Sequence, residues 1–237
     1  MIVAIQQPEH LPWTGFFNKM VQCDLFVYLD NVQFKKRYLE NRNKVKTKDG
    51  IKWLTVPVFT KGEYTQNINE VIVDNGSNWK KKYKGLLEHT YKKSNYWDDI
   101  QDIVFPCLEV QPEKLVDLNL ALIERCQDYL QIETPTILAS SLVLDQFSGG
   151  DLILEICSKT GADIYISGPD GRNYLQFDKF LNIGTSIVYH DFIHPAYPQM
   201  YDGFTSHLSI LDLIANCGPD SRDFVKNCYT QNVYNGK

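Results

Sequence analysis

Residues 2–30 read IVAIQQPEHLPWTGFFNKMVQCDLFVYLD, and the order of their apolar runs decides the fold class. Residues 2–6 are a short apolar run that empties into a loop bounded by Pro8 and Pro12, the pattern of a buried strand followed by a turn-rich connection. Phe16, Phe17, Met20 and Val21 recur on one side of a helix over 14–22. Residues 25–29 form a second apolar run, ending at Asp30. Strand, helix, strand within this short span is the rhythm of a βαβ unit with parallel strands.

The same rhythm returns later. Strands are predicted over 136–138, 164–166 and 187–189, with helices over 150–160 and 208–216, the last closed by Gly218. Between the two halves, 51–59 reads as a strand with Pro57 marking an edge or bulge, and 68–73 as another. Helices are predicted from Ser77 to about Lys93 and over 112–130, where Leu115, Leu118, Leu122, Ile123, Cys126, Tyr129 and Leu130 make an apolar stripe. The expectation is one α/β domain over 1–237: a Rossmann-like, mostly parallel sheet flanked by helices, with a helical excursion at about 75–130.

Composition narrows the classes. The chain has 237 residues, 43% hydrophobic and 22% charged, and can bury a core without disulfides or a structural metal. Lys and Arg number 24 against 29 Asp and Glu, a net charge of −5, which argues against a nucleic-acid binder. The first residues carry neither a basic n-region nor a long apolar h-region, and no stretch is long and apolar enough to span a membrane. A cytoplasmic location is expected. The six cysteines have no paired spacing, and each reads as a reduced, buried side chain.

In open parallel sheets, ligands bind outside the carboxyl ends of strands. Three polar loops qualify. The first holds Gln7, His10 and Trp13, stiffened by two prolines; His10 is a candidate acid or base. The second starts at Asp30 and Gln33 and runs into residues 35–52. There eight basic side chains, Lys36, Arg37 and Arg42 among them, face two acidic ones in an otherwise acidic chain. Arg37 and Arg42 are candidate clamps for a phosphate or carboxylate, with Asn41 and Asn43 orienting hydroxyls or amides. The third holds Ser167, Asp170, Arg172 and Tyr174, although Ser-Gly-Pro-Asp-Gly is equally a plain turn composition. Ser141, after the strand at 136–138, is a weaker candidate of the same kind.

Other chemistries lack their signatures. No Gly-x-Ser-x-Gly elbow, Walker A sequence or Gly-x-Gly-x-x-Gly occurs. His190 and His194 are four apart, but Pro195 breaks any helix and no carboxylate or thiolate pattern accompanies them, so no metal site is predicted. Acid–base duty suits either histidine better. The Lys80–Lys84 run reads as a solvated helix face.

These residues resemble the WbqC-like family. The resemblance is carried by Gln7-Pro8-x-x-x-Pro12-Trp13-x-Gly15-Phe16-Phe17, by Asp24-x-Phe26-Val27-x-Leu29-Asp30-x-Val32-Gln33-Phe34-x-Lys36-Arg37, and by Asn41-Arg42-Asn43. Further matches are Trp53-Leu54-x-Val56-Pro57-Val58, Gly161-Ala162-Asp163-x-Tyr165-x-Ser167-Gly168, Tyr197-x-Gln199 and the run from Leu208 to Asp212. The resemblance implies a role in bacterial O-antigen or other surface-glycan biosynthesis. It suggests a transferase that places an acyl or aminoacyl group on the amine of a nucleotide-linked amino sugar, the donor being a thioester of CoA or of an acyl carrier protein. In that reading His10 or Asp30 is the base, Arg37 and Arg42 clamp the anion, and Gln7, Gln33, Asn41, Asn43 and Gln199 contact substrate. Two alternatives stay open: a nucleotidyl-transferase or adenylate-forming enzyme using ATP and magnesium, and a non-catalytic sugar-nucleotide-binding protein.

Overall fold

A computed structural model describes residues 1–63, 65–145 and 147–227, together with the backbone of the short strand at 232–233. Its central sheet contains β1 (Ile2–Gln6), β2 (Leu25–Tyr28), β5 (Thr136–Leu138), β6 (Ile164–Ser167), β7 (Ser186–Tyr189) and β8 (Asn232–Val233), in the order β5-β2-β1-β6-β7-β8. Every pairing from β5 to β7 is parallel, and β8 adds antiparallel to β7. The fold is therefore α/β and Rossmann-like, as the sequence predicts. The chain winds outward from β1 through β2 to β5, then returns to lay β6 on the opposite side of β1.

Side chains alternate across the sheet with the two-residue period of a strand. Val3 and Ile5 of β1, Val27 of β2 and Tyr165 of β6 face one core, which includes Leu152, Ile153 and Ile156 of α5 (Gly149–Thr160) and Phe180 of α6 (Phe177–Asn182). Ala4, Phe26, Tyr28 and Ile166 face the other, larger core. That core takes in Phe16, Phe17 and Met20 of α1 (Thr14–Val21) and the excursion helices α2 (Trp79–Tyr91), α3 (Trp97–Glu109) and α4 (Leu115–Leu130). It also takes in α7 (Ile210–Cys217) and Val225 of α8 (Ser221–Lys226). Burial on both faces explains why β1 and β2 read as continuous apolar runs rather than alternating ones.

The structure departs from the sequence reading in the middle of the chain. Residues 42–47 form β3 (Arg42–Thr47), paired antiparallel to β4 (Gly50–Thr55) in a separate hairpin. Asn43, Val45 and Thr47 turn inward, whereas the charged positions at 42 and 44 hide the strand in a basic run. The strand expected over 51–59 stops at Thr55, ahead of Pro57, and that expected over 68–73 is a single 3-10 turn at Ile68–Glu70 with isolated bridges beyond it. Helix α3 continues through Pro106. Proline has no N–H to return to the carbonyl four residues back, and Arg125 of α4 donates Nη1–H to that Asp102 carbonyl at 3.1 Å.

Cys23, Cys107, Cys126, Cys157 and Cys217 are buried thiols; Cys228 lies outside the described residues. Among the described residues no helix is long and apolar enough to cross a membrane.

Candidate functional site

The strand order reverses between β1 and β6, and a cavity of about 750 Å³ opens there, beyond their carboxyl ends. This is where open α/β sheets bind ligands. The loop after β1, the start of α1, the loop after β6 and the segment after β7 all reach it.

Its floor is polar and buried. Lys19 of α1 donates from Nζ to Gln6 Oε1 at 2.8 Å, and Gln6 Nε2 donates to Glu9 Oε1 at 3.1 Å. Glu9 is 6% exposed, and its Oε2 has no hydrogen-bond partner among the described residues. Burial raises the Glu9 carboxyl to about 7, with the Glu40 carboxylate adding to the rise and Gln6 and Lys19 opposing it. Burial likewise lowers Lys19 to about 8, and Glu9 holds it from falling further. His190 Nε2 lies 2.7 Å from Asn18 Oδ1; burial, with the Lys19 charge behind it, lowers that imidazole to about 4. At working pH the floor thus holds an ammonium, a carboxyl poised near neutrality and a neutral imidazole.

The walls are aromatic and of mixed charge. Trp13, Tyr38, Tyr174 and Phe192 line them, with Lys35, Asp170 and Asp191. Trp13 stacks on His207 at 4.8 Å between ring centroids and meets Phe192 edge-on at 5.1 Å. Arg172 forks onto Asp191 through bonds of 2.8 and 2.6 Å while lying over the Tyr189 ring. Arg172 therefore acts on the cavity through Asp191.

The structure brings Gln7, Trp13, Asp170, Tyr174 and His190 to this cavity and leaves the remaining sequence candidates outside its lining. His10, expected as an acid or base, is fully buried. Its Nδ1 bonds Asn119 Oδ1 at 2.9 Å, its Nε2 bonds the Tyr83 hydroxyl at 2.6 Å, and burial lowers it to about 4. With both nitrogens occupied and the ring outside the cavity lining, it serves the scaffold. Asp30, the other expected base, is also buried. It accepts from Ser140 N at 2.9 Å, Ser140 Oγ at 2.5 Å and Asn69 Nδ2 at 3.3 Å, which ties the ends of β2 and β5 together.

Arg37 and Arg42 do not form the expected clamp. Arg37 is exposed, with a left-handed φ of 61°. Arg42 lies 4.0 Å over the Trp53 ring and donates to the Arg37 carbonyl. Lys36 bonds the Thr60 carbonyl, Asn41 the Val56 carbonyl, and Asn43 the carbonyls of His10 and Leu11, steadying a turn in which Leu11 has a φ of 41°. Gln33 bridges to Asn67, Ser141 caps the Leu138 carbonyl and the Ser167 hydroxyl bonds the Gly168 carbonyl. Gln199 holds Thr205, Asp212 and Lys46.

Sequence reasoning passed over Gln6, Glu9, Lys19, Tyr38 and Asp191. Lys19 sits on the apolar side of α1 beside Phe16 and Met20, and a lysine sharing the buried face of a helix is the signal that could have marked it. Glu9 follows strand one in the loop already singled out, but a lone glutamate there has no motif.

Comparison with known proteins agrees with the sequence resemblance. A family model described as the WbqC-like protein family matches residues 7–224. A relative from Mycobacterium tuberculosis, the uncharacterized protein Rv1507c, is 34% identical over 229 residues, covering 95% of this chain and 98% of its own length. No solved structure matches. The chain belongs to the WbqC-like protein family.

Proposed function

We propose that this protein is a transferase of bacterial surface-glycan assembly that acylates the amino group of a nucleotide-linked amino sugar, with a thioester of CoA or of a carrier protein as donor. The observation that carries this reading is the Glu9 carboxyl. It is buried on the cavity floor, raised to about 7, and has one oxygen without a partner among the described residues.

Acyl transfer to an amino sugar requires a neutral amine. Glu9, as carboxylate, takes one proton from the sugar ammonium and becomes a carboxylic acid. The amine lone pair then attacks the thioester carbonyl, the C–N bond forms and the C–S bond breaks. The thiolate leaves with its electron pair and accepts the proton shed by the new amide nitrogen. A base poised near working pH is the most effective kind for such a step. Lys19, close enough to moderate Glu9, supplies positive charge for the developing oxyanion. Trp13, Tyr38, Tyr174 and Phe192 offer ring faces to the nucleobase and sugar. Gln7, Asp170 and the Arg172–Asp191 fork orient hydroxyls.

The test is acyl transfer measured by mass spectrometry, using nucleoside-diphosphate amino sugars with the amine at C2, C3 or C4 and acyl-CoA or acyl-pantetheine donors. Glu9→Gln is expected to lower the rate by about 10²–10⁴-fold, the usual contribution of a general base. The variant keeps thermal stabilisation by a nucleotide sugar that carries a hydroxyl in place of the amine, a shift worth about 2.7 kcal/mol at ~100 times the dissociation constant. Wild-type rates in Glu9→Gln would remove the base. Pyrophosphate release from ATP without acyl transfer would favour nucleotidyl chemistry instead.

A further inference from the structure

A second buried carboxylate, Glu40, stands on a loop tied to the one that carries Glu9. Glu40 has no exposed surface, and neither of its carboxylate oxygens has a hydrogen-bond partner on another described residue. With Glu9 Oε2, that makes three buried carboxylate oxygens left open by the fold.

The two residues are held together by design of the backbone. The His10 N–H donates to the Leu39 carbonyl at 2.8 Å. The Asn119 side-chain N–H groups donate to the Pro8 carbonyl at 2.9 Å and the Glu40 carbonyl at 2.7 Å. The loop that carries Glu9 is thereby bolted to the loop that carries Glu40. Burial raises both carboxyls; Glu40 adds to the rise of Glu9, Gln6 and Lys19 oppose it, and the Glu40 backbone N–H and Lys35 pull Glu40 down. The Tyr38 phenol, on the cavity wall, responds to both carboxylates and to Asp170.

Open buried acceptors cost stability, more so when charged, and a bound cation would relieve that cost. A divalent ion fits poorly. Among the described residues no third His, Cys, Asp or Glu joins the pair, and hard divalent ions take six or more oxygen ligands. A primary ammonium carries three N–H donors and a single charge.

We propose that Glu9 and Glu40 act as one receptor for a substrate ammonium: Glu9 accepts its N–H at the cavity, and Glu40, on the loop bolted to that of Glu9, supplies a second negative charge that strengthens Glu9 as acceptor and base. The step balances as transfer of one proton from the ammonium to Glu9, leaving Glu9 a carboxylic acid beside a neutral amine. Glu9 is the catalytic residue and Glu40 a positioning residue that acts through it. This rests on the amino-sugar reading and sharpens it, because the pair selects amine-bearing sugars over their hydroxyl counterparts.

Two measurements test it. In protein labelled with ¹³C at glutamate carboxyls, with Glu9 and Glu40 assigned by Glu→Gln variants, cyclohexylammonium is expected to shift both resonances and neutral cyclohexanol neither. In Glu40→Gln the titration midpoint of Glu9 is expected to fall, a change that a purely structural role would not produce in a variant with an unaltered circular dichroism spectrum. An unmoved Glu9 midpoint, or equal responses to amine and alcohol, overturns the pair. Matched nucleoside-diphosphate hexoses, each as amine and as hydroxyl parent, give the second readout. One amine position is expected to bind about tenfold or more tightly than its parent, the worth of a charged hydrogen bond, and to lose that preference in Glu40→Gln. A preference that survives in Glu40→Gln also overturns the pair. If the ammonium shifts both carboxyls while no nucleotide sugar binds, the receptor stands and the nucleotide-sugar reading fails.

Discussion

The Nδ1 atom of His10 lies 2.9 Å from Oδ1 of Asn119, and this buried contact fixes which way the Asn119 amide points. With its oxygen turned to the imidazole, Asn119 has both N–H groups for the Pro8 and Glu40 carbonyls. Replacing Asn119 with Ala leaves those two carbonyls and the His10 Nδ1–H without partners in a fully buried site. Each such group costs about 1–3 kcal/mol, so a loss of about 3 kcal/mol or more is expected in urea unfolding, with an unchanged slope. A loss below about 1 kcal/mol would show that the amide does not clamp the two loops.

Activity is expected to follow a bell-shaped pH profile. The reaction needs Glu9 as carboxylate, and its carboxyl sits at about 7, so kcat/KM rises as pH climbs through that value. It needs Lys19 as ammonium, which burial brings down to about 8, so kcat/KM falls above it. A guanidinium keeps its charge throughout this range, and Lys19→Arg therefore moves the alkaline limb outward. An alkaline limb that stays in place would assign it to another group.

Stability responds to pH through two opposed sets of groups. His10 and His190 drop from 6.5 to about 4 on folding, so between those values the unfolded chain binds protons that the folded chain does not, and stability falls as pH falls. Glu9 and Glu40 rise from 4.5 to about 7, and there the folded chain keeps protons that the unfolded chain has released, so stability rises as pH falls. Asp212, raised to about 6, adds to the second set. Between about pH 5 and 6.5 the two sets largely cancel, and the wild-type melting temperature is expected to change little. The Glu9→Gln/Glu40→Gln double variant removes most of one set, and its melting temperature falls as pH is lowered over that range. Parallel curves for the two proteins would mean that the carboxyls are not held near neutrality.

Arg42 belongs to the hairpin and not to the cavity. Arg42→Ala removes the contact with Trp53 and the bond to the Arg37 carbonyl. An exposed cation–π contact is worth about 0.5–1 kcal/mol, and a loss of that order in unfolding is expected with nucleotide-sugar affinity unchanged. Lys35→Ala, at the cavity wall, is expected to weaken binding with little effect on stability. Weakened binding in Arg42→Ala at wild-type stability would restore the arginine to the site.

The sheet was legible because β1, β2 and β6 are buried on both faces and must be written as unbroken apolar runs. The hairpin was not, because β3 alternates buried Asn43, Val45 and Thr47 with basic residues, and its polar inward positions erase the contrast. Helix α3 hides behind Pro106, whose damage is repaired by Arg125 from a distant part of the chain. The site was half legible for the same reason. Position after a strand end singled out Gln7, Trp13, Asp170 and Tyr174, all of which line the cavity. Burial, which turns Glu9 and Lys19 into poised groups and His10 into scaffold, is a property of the fold and leaves no motif. The concentration of charge at 35–52 divides among several places: Lys35 lines the cavity, Lys46 is buried against Gln199, and Arg42 stays on the hairpin over Trp53.

The last prediction concerns the cavity rim. Gly15 opens α1 directly beneath the Trp13 ring, and a Cβ there would fall inside the ring's own volume. Glycine is thus the residue that lets Trp13 fold down between His207 and Phe192. In Gly15→Ala the ring must leave that seat. Overpacking costs about 1–3 kcal/mol, set against about 1 kcal/mol returned by the better helix former. In a Trp13→Ala background the clash is gone and only the gain remains. A double-mutant cycle is therefore expected to give a coupling of about 1–3 kcal/mol between positions 13 and 15. Nucleotide-sugar affinity is expected to fall in Gly15→Ala as it does in Trp13→Ala, because both empty the same seat. Additive stabilities, or wild-type affinity in Gly15→Ala, would mean that the Trp13 ring does not hold this wall.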